Sequence, residues 1–463
     1  MRGYLKMLFS SIFFIFSFLP AVLLIYYLSP MRYKNIVLLI ASIIFYSWGE
    51  PIYVFLMLFS ATFNYSMAKD LYNNKKNLIF TVIVNLFILS FFKYYGFLID
   101  TVNSLFNSNI EYTSLALPIG ISFYTFQGLS YIIDVYRGNI KVQNSLINFT
   151  LYLCLFPQLI AGPIVKYKDI ELQLNKRSVN LVLIGHGTIR FIMGLGKKVL
   201  LANNLGLVYT QIMALSPGES SVVVSWIGII AYTMQIYFDF SGYSDMAIGL
   251  GKMFGFEFME NFNYPYISKS ITEFWRRWHI SLSTWFKEYL YIPLGGNRVA
   301  TPRHIFNLLV VWSLTGLWHG ASWNFVAWGL YYGILLILEK YLLSDLIEKL
   351  PSWAKHVYTL VIVMIGWVFF SSENLTTALQ YIGHMFGIGV SSFSNMTALY
   401  YLRTNFVLLL FGGFISTPLP FSLLGDFCGK RGVIGILLIF GIFILSIGYL
   451  VYSSYNPFLY FRF

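Results

Sequence analysis

Apolar runs follow one another along almost the whole chain and are separated by short polar loops. A helix needs about 20 apolar residues to cross a membrane, and most of the runs approach or exceed that length. They lie at residues 7–29, 35–49, 51–68, 77–100, 117–136, 146–165, 179–212, 221–250, 305–317, 320–343, 354–370, 400–424 and 432–453. The pattern predicts an all-α polytopic membrane protein with roughly 11 to 13 membrane helices, including re-entrant or surface helices.

The runs are not divided by any Gly/Ser-rich or Pro-rich linker, and the chain shows no internal repeat. We therefore predict a single integral membrane domain over residues 1–463. The first run follows a short basic flank but is as long as a spanning helix, and no small-residue cleavage pattern follows it. It is expected to be a retained helix rather than a signal peptide.

Basic residues predict the orientation of the chain. They are concentrated in the first, third and fifth loops, at Arg32, Lys34, Lys69, Lys75, Lys76, Arg137 and Lys141. Since cytoplasmic loops carry an excess of Lys and Arg, this alternation predicts an extracytoplasmic N-terminus. The stretch 166–177 is also basic but falls on the outer side by simple counting, so a segment next to it is predicted to be re-entrant or surface-lying.

Composition agrees with a lipid environment. The chain has 463 residues, of which 57% are hydrophobic and 11% charged, and its mean hydropathy is +0.68. Soluble domains carry about 25% charged residues. The net charge of +12 lies in short loops and is explained by membrane orientation, so no nucleic-acid partner is expected. Cys154 and Cys428 are far apart and lack metal-ligand spacing, so neither a disulfide nor a metal site is predicted.

Two histidines are the principal candidates for chemistry. His319 lies between two apolar runs, in the sequence LWHGASW, where small residues open space beside it. An ionisable group at membrane depth is a functional candidate, and a histidine there can act as a general base toward a hydroxyl acceptor. From the residues alone, a histidine that bonds a neighbouring carbonyl and joins two helices is an equal alternative.

The second histidine, His279, lies in FWRRWHISLSTW, which we predict to be one helix from Ile271 to Tyr291 dipping inward from the cytoplasmic interface. On such a helix, the residues at spacings of three and four share its face, namely Trp275, Arg276 and Ser283. This face is expected to contact an acyl donor or to orient the other histidine. The alternative is an interfacial helix whose histidine faces water.

Other polar residues in apolar surroundings have two interpretations each. Asp239, Ser241, Tyr243, Ser244 and Asp245 follow an apolar run and either line a site or cap the start of a helix. Gln127 and Gln158, like Asp134 and Arg137, either line a cavity or join helices. The Gly295-Gly296-Asn297 sequence predicts a tight turn, with phosphate binding as the weaker alternative. No role is predicted for His186, His304, His356 or His384.

The blocks FDFSGYSDMAIGLG, ENFNYPY, TEFWRRWHISLSTW, YIPLGGNR and LWHGASW resemble the membrane-bound O-acyltransferase superfamily, in particular its bacterial alginate O-acetyltransferase branch. Weaker blocks extend the resemblance over a core of about residues 117–338. It implies a helical fold around a central tunnel, with His319 as the catalytic base and His279 assisting. Residues expected to line the substrate path are Asp239, Ser241, Tyr243, Asp245, Trp275, Arg276, Ser283, Trp318, Asn324, Gln127 and Gln158.

The resemblance also implies the reaction and its partners. It implies that a cytoplasmic thioester such as acetyl-coenzyme A gives an acetyl group to an exported or cell-surface polysaccharide. The expected setting is a bacterial cytoplasmic membrane, a polysaccharide pathway complex and an extracytoplasmic SGNH-type acetyltransferase, with no bound cofactor. A D-alanyl transfer protein of teichoic acid synthesis, which uses a carrier-protein thioester, is the alternative within the enzyme class. A transporter or flippase is the alternative from another class, although no repeats support it.

Overall fold

The computed structural model of the protein describes residues 7–160, 162–420, 422, 432–453, 455–457 and 459, and the regular structure within these ranges is helical throughout. Among the described residues, seven helices are long and apolar enough to cross a membrane, and Phe14–Leu28 and Tyr53–Ala68 are shorter apolar helices. These observations confirm the predicted all-α polytopic fold. Cys154 is a buried free thiol, whereas Cys428 lies outside the described residues.

The helices discussed below are numbered in chain order. They are α1 (Phe14–Leu28), α2 (Lys34–Gly49), α3 (Tyr53–Ala68), α4 (Lys75–Phe106), α5 (Ile121–Tyr136), α6 (Leu146–Cys154), α7 (Phe156–Leu159), α8 (Tyr167–Asn175), α9 (Leu181–Met213), α10 (Val222–Met253), α11 (Ile271–Arg277), α12 (Ile280–Phe286), α13 (Thr301–His319), α14 (Trp323–Lys349), α15 (Ser352–Ser371), α16 (Leu375–Met385), α17 (Met396–Ile415) and α18 (Gly432–Tyr452). The chain forms two compact units. One comprises Met1–Phe191 and Tyr243–Met259, and the other comprises Ile192–Gly242 and Glu260–Phe463.

In the first unit, α4 is the longest apolar element. Asn74 caps it by accepting the backbone N–H of Asn77 at 3.1 Å. Its 32 residues span about 48 Å, which exceeds the roughly 30 Å hydrocarbon core of a bilayer. The side chains of Asn64 on α3 and Asn85 on α4 exchange hydrogen bonds of 3.0 and 2.9 Å, so an amide pair joins these two helices inside the apolar region.

The segment between α5 and α8 forms two helices that are each too short to span a membrane. The chain leaves helical geometry at Leu155, directly before Phe156 and Pro157, so α6 has nine residues and α7 has four. The Asn35 amide donates to the Asn148 side chain and to the Leu174 carbonyl, each at 2.8 Å. The segment therefore begins and ends beside the same residue. These short helices agree with a re-entrant or surface-lying segment beside the basic stretch 166–177, which stays a prediction.

In the second unit, α13 and α14 form a hairpin in which glycines allow the backbones to touch. A Cβ atom on Gly316 would lie 2.3 Å from the Phe325 carbonyl oxygen, and one on Gly329 would lie 2.3 Å from the Trp312 carbonyl oxygen. Such close approach is open only to glycine at these positions. The hairpin therefore fixes the end of α13, where His319 lies.

The predicted continuous helix from Ile271 to Tyr291 is wrong. The chain forms α11 and α12 with a break at Trp278 and His279, and His279 has a left-handed backbone with φ +43°. This conformation is uncommon for a residue with a side chain. The break aims the His279 side chain by backbone geometry rather than by helical spacing.

Two further local predictions have different outcomes. The predicted turn at Gly295 and Gly296 is confirmed, because both residues have positive φ angles, +105° and +57°. The helix-cap interpretation of Asp239 to Asp245 is wrong, because these residues lie inside the continuous helix α10 and no helix begins there. Their side chains must therefore be satisfied by other elements.

Candidate active site

His279 is held in place by contacts with Asn261, which lies 18 residues earlier in the chain. It is 1% exposed, and the backbone N–H of Ile280, which follows it, donates to the Asn261 carbonyl at 3.0 Å. Its ring packs edge-on against Phe240, with centroids 4.7 Å apart. The left-handed backbone and the Asn261 contact thus place the imidazole in a buried, defined position.

The hydrogen bonds of Asn261 determine the tautomer of His279. Asn261 Oδ1 accepts the backbone N–H of Ser281 at 3.2 Å and the Ser281 hydroxyl at 2.9 Å. A backbone N–H only donates, so the amide atom at this position is the oxygen. Nδ1 of His279 lies 3.0 Å from the same oxygen and must therefore carry the proton. In the neutral ring the lone pair is then on Nε2, the nitrogen that can act as a base.

His319 also carries its proton on Nδ1, but its hydrogen-bond partner is a backbone carbonyl. It is the last residue of α13 and is 2% exposed. Its Nδ1 lies 2.7 Å from the Thr315 carbonyl oxygen one turn earlier, and a carbonyl only accepts. Nδ1 is therefore protonated, and in the neutral ring Nε2 carries the lone pair. Both histidines thus present a basic Nε2, as a proton acceptor requires.

Trp318 lies beside both imidazoles. Its ring centroid is 6.1 Å from that of His279 and 5.0 Å from that of His319. Trp328 also packs against His319, and the centroids of their rings are 4.8 Å apart. His279 lies outside the seven candidate membrane spans, and burial, followed by repulsion from His319 when that ring is protonated, lowers its pKa well below the ordinary value. His279 is therefore neutral near pH 7 and available to accept a proton.

A cavity of about 750 Å³ reaches His279. Trp275, Arg276 and Ser283, the three residues predicted to share its surroundings, line this cavity with it. Helical spacing does not bring them together, because the helix is broken; the Ser283 hydroxyl instead bonds the Trp275 carbonyl across the break at 3.3 Å. Thr315, whose carbonyl fixes the His319 tautomer, lines the same cavity. The volume is in the range of small-molecule sites, about 300 to 1,000 Å³.

Most of the exposed charged side chains that line the cavity are positive. Arg276, Lys287 and Lys340 line it and are exposed. Of its two carboxylates, Glu339 is buried and accepts the backbone N–H groups of Ile271 and Thr272 at 2.7 and 3.0 Å. Glu339 therefore compensates the N-terminus of α11 rather than the cations. An anionic ligand would meet the exposed cations.

The two aspartates of α10 have ion-pair partners in the described residues. Asp239 Oδ1 lies 2.6 Å from the ammonium of Lys198, both groups being 2% exposed, and Oδ2 accepts the Leu459 N–H at 2.9 Å. Asp245 bonds Arg190 at 2.7 Å in the first unit. Neither lines the cavity at His279. The geometry gives each aspartate a pairing role, while substrate contact remains an untested prediction.

The remaining predicted site residues pack or hydrogen-bond within the fold, away from the cavity at His279. Ser241 is buried, and Tyr243 stacks on Phe9 in the first unit with centroids 4.6 Å apart. Gln127 and Gln158 are buried in the first unit. Asn324 lies in the first turn of α14 and donates to the Ser372 carbonyl at 2.8 Å, which ties the hairpin to the end of α15. None of these five residues lines the cavity at His279.

Sequence reasoning missed three residues of this site. Asn261 is in the ENFNYPY block but carries no charge, and nothing in the sequence links it to His279. Glu339 continues an apolar run, so it looked like the end of a membrane helix. His304 lines the cavity and lies between two phenols, with Tyr291 Oη 2.8 Å from Nε2 and Tyr341 Oη 2.7 Å from Nδ1. Its position in a basic loop gave no signal of this contact.

The fold and site define a multi-pass membrane protein with two buried imidazoles, of which His279 lines a cation-rimmed cavity and His319 lies behind Thr315 of its lining. Such an arrangement is suited to proton transfer from an acceptor hydroxyl. Among the described residues no group of three or more His, Cys, Asp or Glu side chains is placed to hold a metal ion. The chain belongs to the membrane-bound O-acyltransferase family, whose model matches residues 139–379 and so includes both histidines. It is accordingly an O-acyltransferase.

Curated relatives agree with this membership. The chain is 42% identical over 492 residues to a "Probable alginate O-acetylase AlgI" of Pseudomonas putida, covering 99% of this chain and 100% of the relative. It is 45% identical over 401 residues to the protein of the same name from Azotobacter vinelandii, covering 84% and 80%. The "Peptidoglycan O-acetyltransferase" of Helicobacter pylori is 36% identical over 428 residues, covering 83% and 81%.

Proposed function

We propose that this O-acyltransferase moves an acetyl group from a cytoplasmic thioester, acetyl-coenzyme A, for the O-acetylation of an exported or cell-surface polysaccharide. The observation that carries the chemistry is the pair of imidazoles with protonated Nδ1 and basic Nε2. The names of the relatives support the acceptor class, since one is called an alginate O-acetylase and another a peptidoglycan O-acetyltransferase.

In the proposed reaction, Nε2 of His319 removes the proton from an acceptor hydroxyl as the oxygen attacks the thioester carbonyl. The carbon–oxygen bond forms, the carbon–sulfur bond breaks, and the leaving thiolate receives a proton from the imidazolium, so the histidine returns to its neutral state. His279 assists in the same proton transfer, because Asn261 holds its proton on Nδ1 and leaves the Nε2 lone pair able to accept a hydrogen bond from the acceptor hydroxyl. General-base catalysis of this kind contributes about 10²- to 10⁴-fold.

The cavity supports the choice of donor. Arg276, Lys287 and Lys340 provide exposed cations at a cavity that reaches His279, and acetyl-coenzyme A carries phosphates and a thioester at opposite ends. Cations pair strongly with phosphate oxygens. In this proposal the cavity opens to the cytoplasm, and the acetyl group leaves on the other side with an SGNH-type acetyltransferase as the partner that completes polysaccharide acetylation.

The test is consumption of labelled acetyl-coenzyme A by the purified protein in nanodiscs, supplied with the partner acetyltransferase and a polysaccharide acceptor. We expect His319→Ala to lower turnover about 10²- to 10⁴-fold. His186→Ala is the matched control, because His186 is exposed on α9. Equal turnover of the His319 variant and the control would refute the assignment of the base. Absence of donor consumption by the wild-type protein, with acceptor and partner present, would refute the proposed donor.

A further inference from the structure

The first unit contains a second, smaller cavity with a different chemistry. Its volume is about 260 Å³, and it lies where the N-terminal ends of α2 and α6 meet the chain that follows α8. The polar side chains that line it are Arg32, Asn35, Ser145, Asn148, Asn175 and Arg177. Among the described residues that line it there is no aspartate or glutamate. The cavity therefore combines two cations with neutral amides and no carboxylate.

Arg177 is a buried cation whose hydrogen-bond partners among the described residues are all neutral. It is 7% exposed. Its Nε donates to the Tyr26 hydroxyl at 2.9 Å, and its Nη1 donates to Asn35 Oδ1 at 2.6 Å. The third nitrogen, Nη2, has no hydrogen-bond partner in the described part of the chain. Burial of a guanidinium without a counter-ion is costly, so an anion at this cavity would be stabilising.

The amide groups around Arg177 are organised before any ligand arrives. Asn35 bonds Arg177, Asn148 and the Leu174 carbonyl, and Asn148 also bonds Asn175 at 3.3 Å. Ser145 caps α6 and lines the cavity together with Ile147 in the first turn. The positive end of this nine-residue helix therefore adds to the field of the two arginines.

The rim of the cavity is apolar and exposed. Met31 and Ile147 line it and are 52% and 43% exposed, and Leu172 on the adjoining α8 is 81% exposed. Arg32 is also exposed, and its guanidinium stacks on Tyr33 at 4.6 Å. A cationic pocket flanked by exposed apolar side chains matches a lipid, whose phosphate needs cations and whose acyl chains need an apolar surface.

We propose that this cavity binds the phosphate of an anionic phospholipid headgroup, with Arg177 and Arg32 as the cationic contacts. The orientation predicted from loop charge places Arg32 at the cytoplasmic face, where anionic lipids are enriched. The site is independent of the acyl-transfer chemistry and uses none of its residues. A soluble phosphate compound offers the same headgroup chemistry, and the experiment separates the two sources.

The test places the purified full-length protein in nanodiscs of phosphatidylcholine or of equal parts phosphatidylcholine and phosphatidylglycerol. Native mass spectrometry then measures which lipids the protein retains. We expect selective retention of phosphatidylglycerol, and about fivefold less retention in Arg32→Gln, since one cation near the membrane surface contributes about that factor. Arg177→Lys should weaken retention further, because lysine lacks the planar fork that grips phosphate.

Lys69→Gln is the matched control, because Lys69 is an exposed loop cation that stacks on Tyr65 at 4.6 Å but lies outside the cavity. Its retention of phosphatidylglycerol should equal that of the wild-type protein. Because Arg32 is exposed, its variant tests the proposal even where the Arg177 variant fails to fold. Equal retention of the two lipids, or equal loss in the Arg32 and Lys69 variants, would overturn the proposal. Thermal stabilisation by inorganic phosphate in pure phosphatidylcholine, equal to that given by phosphatidylglycerol, would overturn the lipid source.

Discussion

Asn261 Oδ1 lies 3.0 Å from Nδ1 of His279, and it is an oxygen because it also accepts the Ser281 backbone N–H. The contact makes Asn261 a positioning residue. It holds the proton on the nitrogen that faces away from the reaction and leaves the lone pair on Nε2. Eighteen residues separate the two side chains in sequence, and the left-handed backbone at His279 brings them together.

Changing Asn261 should alter both the rate and its pH dependence. Asn261→Ala removes the acceptor of three buried hydrogen bonds, and loss of the one from His279 should by itself lower turnover about tenfold. Asn261→Asp keeps the acceptor and adds a negative charge, which raises the pKa of His279. A base must be neutral to act and loses activity as pH falls through its pKa, so the acidic limb of the rate profile should move to higher pH.

The pH profile of purified Asn261→Asp is the decisive measurement, because a purely structural role would lower turnover without moving the profile. Asn395→Asp supplies the same chemical change at the N-cap of α17, where aspartate caps as well as asparagine does. Its profile should coincide with that of the wild-type protein. An unchanged acidic limb in Asn261→Asp would show that His279 does not act as a base.

The two histidines should behave as one catalytic unit. If His279 and His319 serve the same proton transfer, then once His319 is replaced by alanine the second replacement removes little more. The double variant should therefore turn over acetyl-donor within a few-fold of the slower single variant, as judged by initial rates in nanodiscs. If the loss of turnover in the double variant instead equals the product of the two single losses, the two histidines act in separate steps.

Much of the fold follows from local sequence, and much of the site does not. Apolar runs predicted the helices because burial in lipid requires locally paired backbones, and Gly295 and Gly296 predicted their turn because positive φ is a local property. His319 was found as a candidate because ionisable groups are rare in apolar sequence, and His279 was found largely through the family resemblance. Their tautomers were not, because they depend on Asn261 and on where α13 ends.

Two other predictions failed because the structure there also depends on contacts between residues far apart in sequence. Asp239 and Asp245 looked like a cap or a site because their partners, Lys198 and Arg190, lie on the preceding helix α9, far from them in sequence. The helix through His279 was predicted as continuous because the sequence there contains no glycine or proline to end it. The break is set by tertiary contacts of Asn261, which a helical pattern does not report.

Close packing of α13 and α14 should be sensitive to a single methyl group. A Cβ at Gly329 would lie 2.3 Å from the Trp312 carbonyl oxygen, so Gly329→Ala must separate the helices. Overpacking of this kind costs about 1 to 3 kcal/mol, and it should lower the thermal unfolding temperature and displace His319. Gly441→Ala on α18 is the control, because a Cβ there meets nothing within 4 Å. Equal unfolding temperatures for the two variants would show that the hairpin tolerates separation.

The Lys198–Asp239 pair distinguishes a structural aspartate from one that binds substrate. Both groups are 2% exposed, so Asp239→Leu leaves a buried, uncompensated ammonium and should destabilise the protein by about 3 to 5 kcal/mol. Replacing both partners, as in K198M/D239L, removes the charge imbalance and should restore most of that stability. Thermal unfolding in detergent measures both effects.

Activity of the double variant then decides the role of Asp239. With the fold restored, a structural pair predicts acetyl transfer close to that of the wild-type protein, because neither residue lines the cavity at His279. A stable double variant without activity would instead assign Asp239 to substrate. Asp245→Asn provides the comparison, since its pair with Arg190 is 14% and 27% exposed and should contribute only about 1 kcal/mol. The difference between the two aspartates follows from burial of the partner, which the sequence of α10 does not reveal.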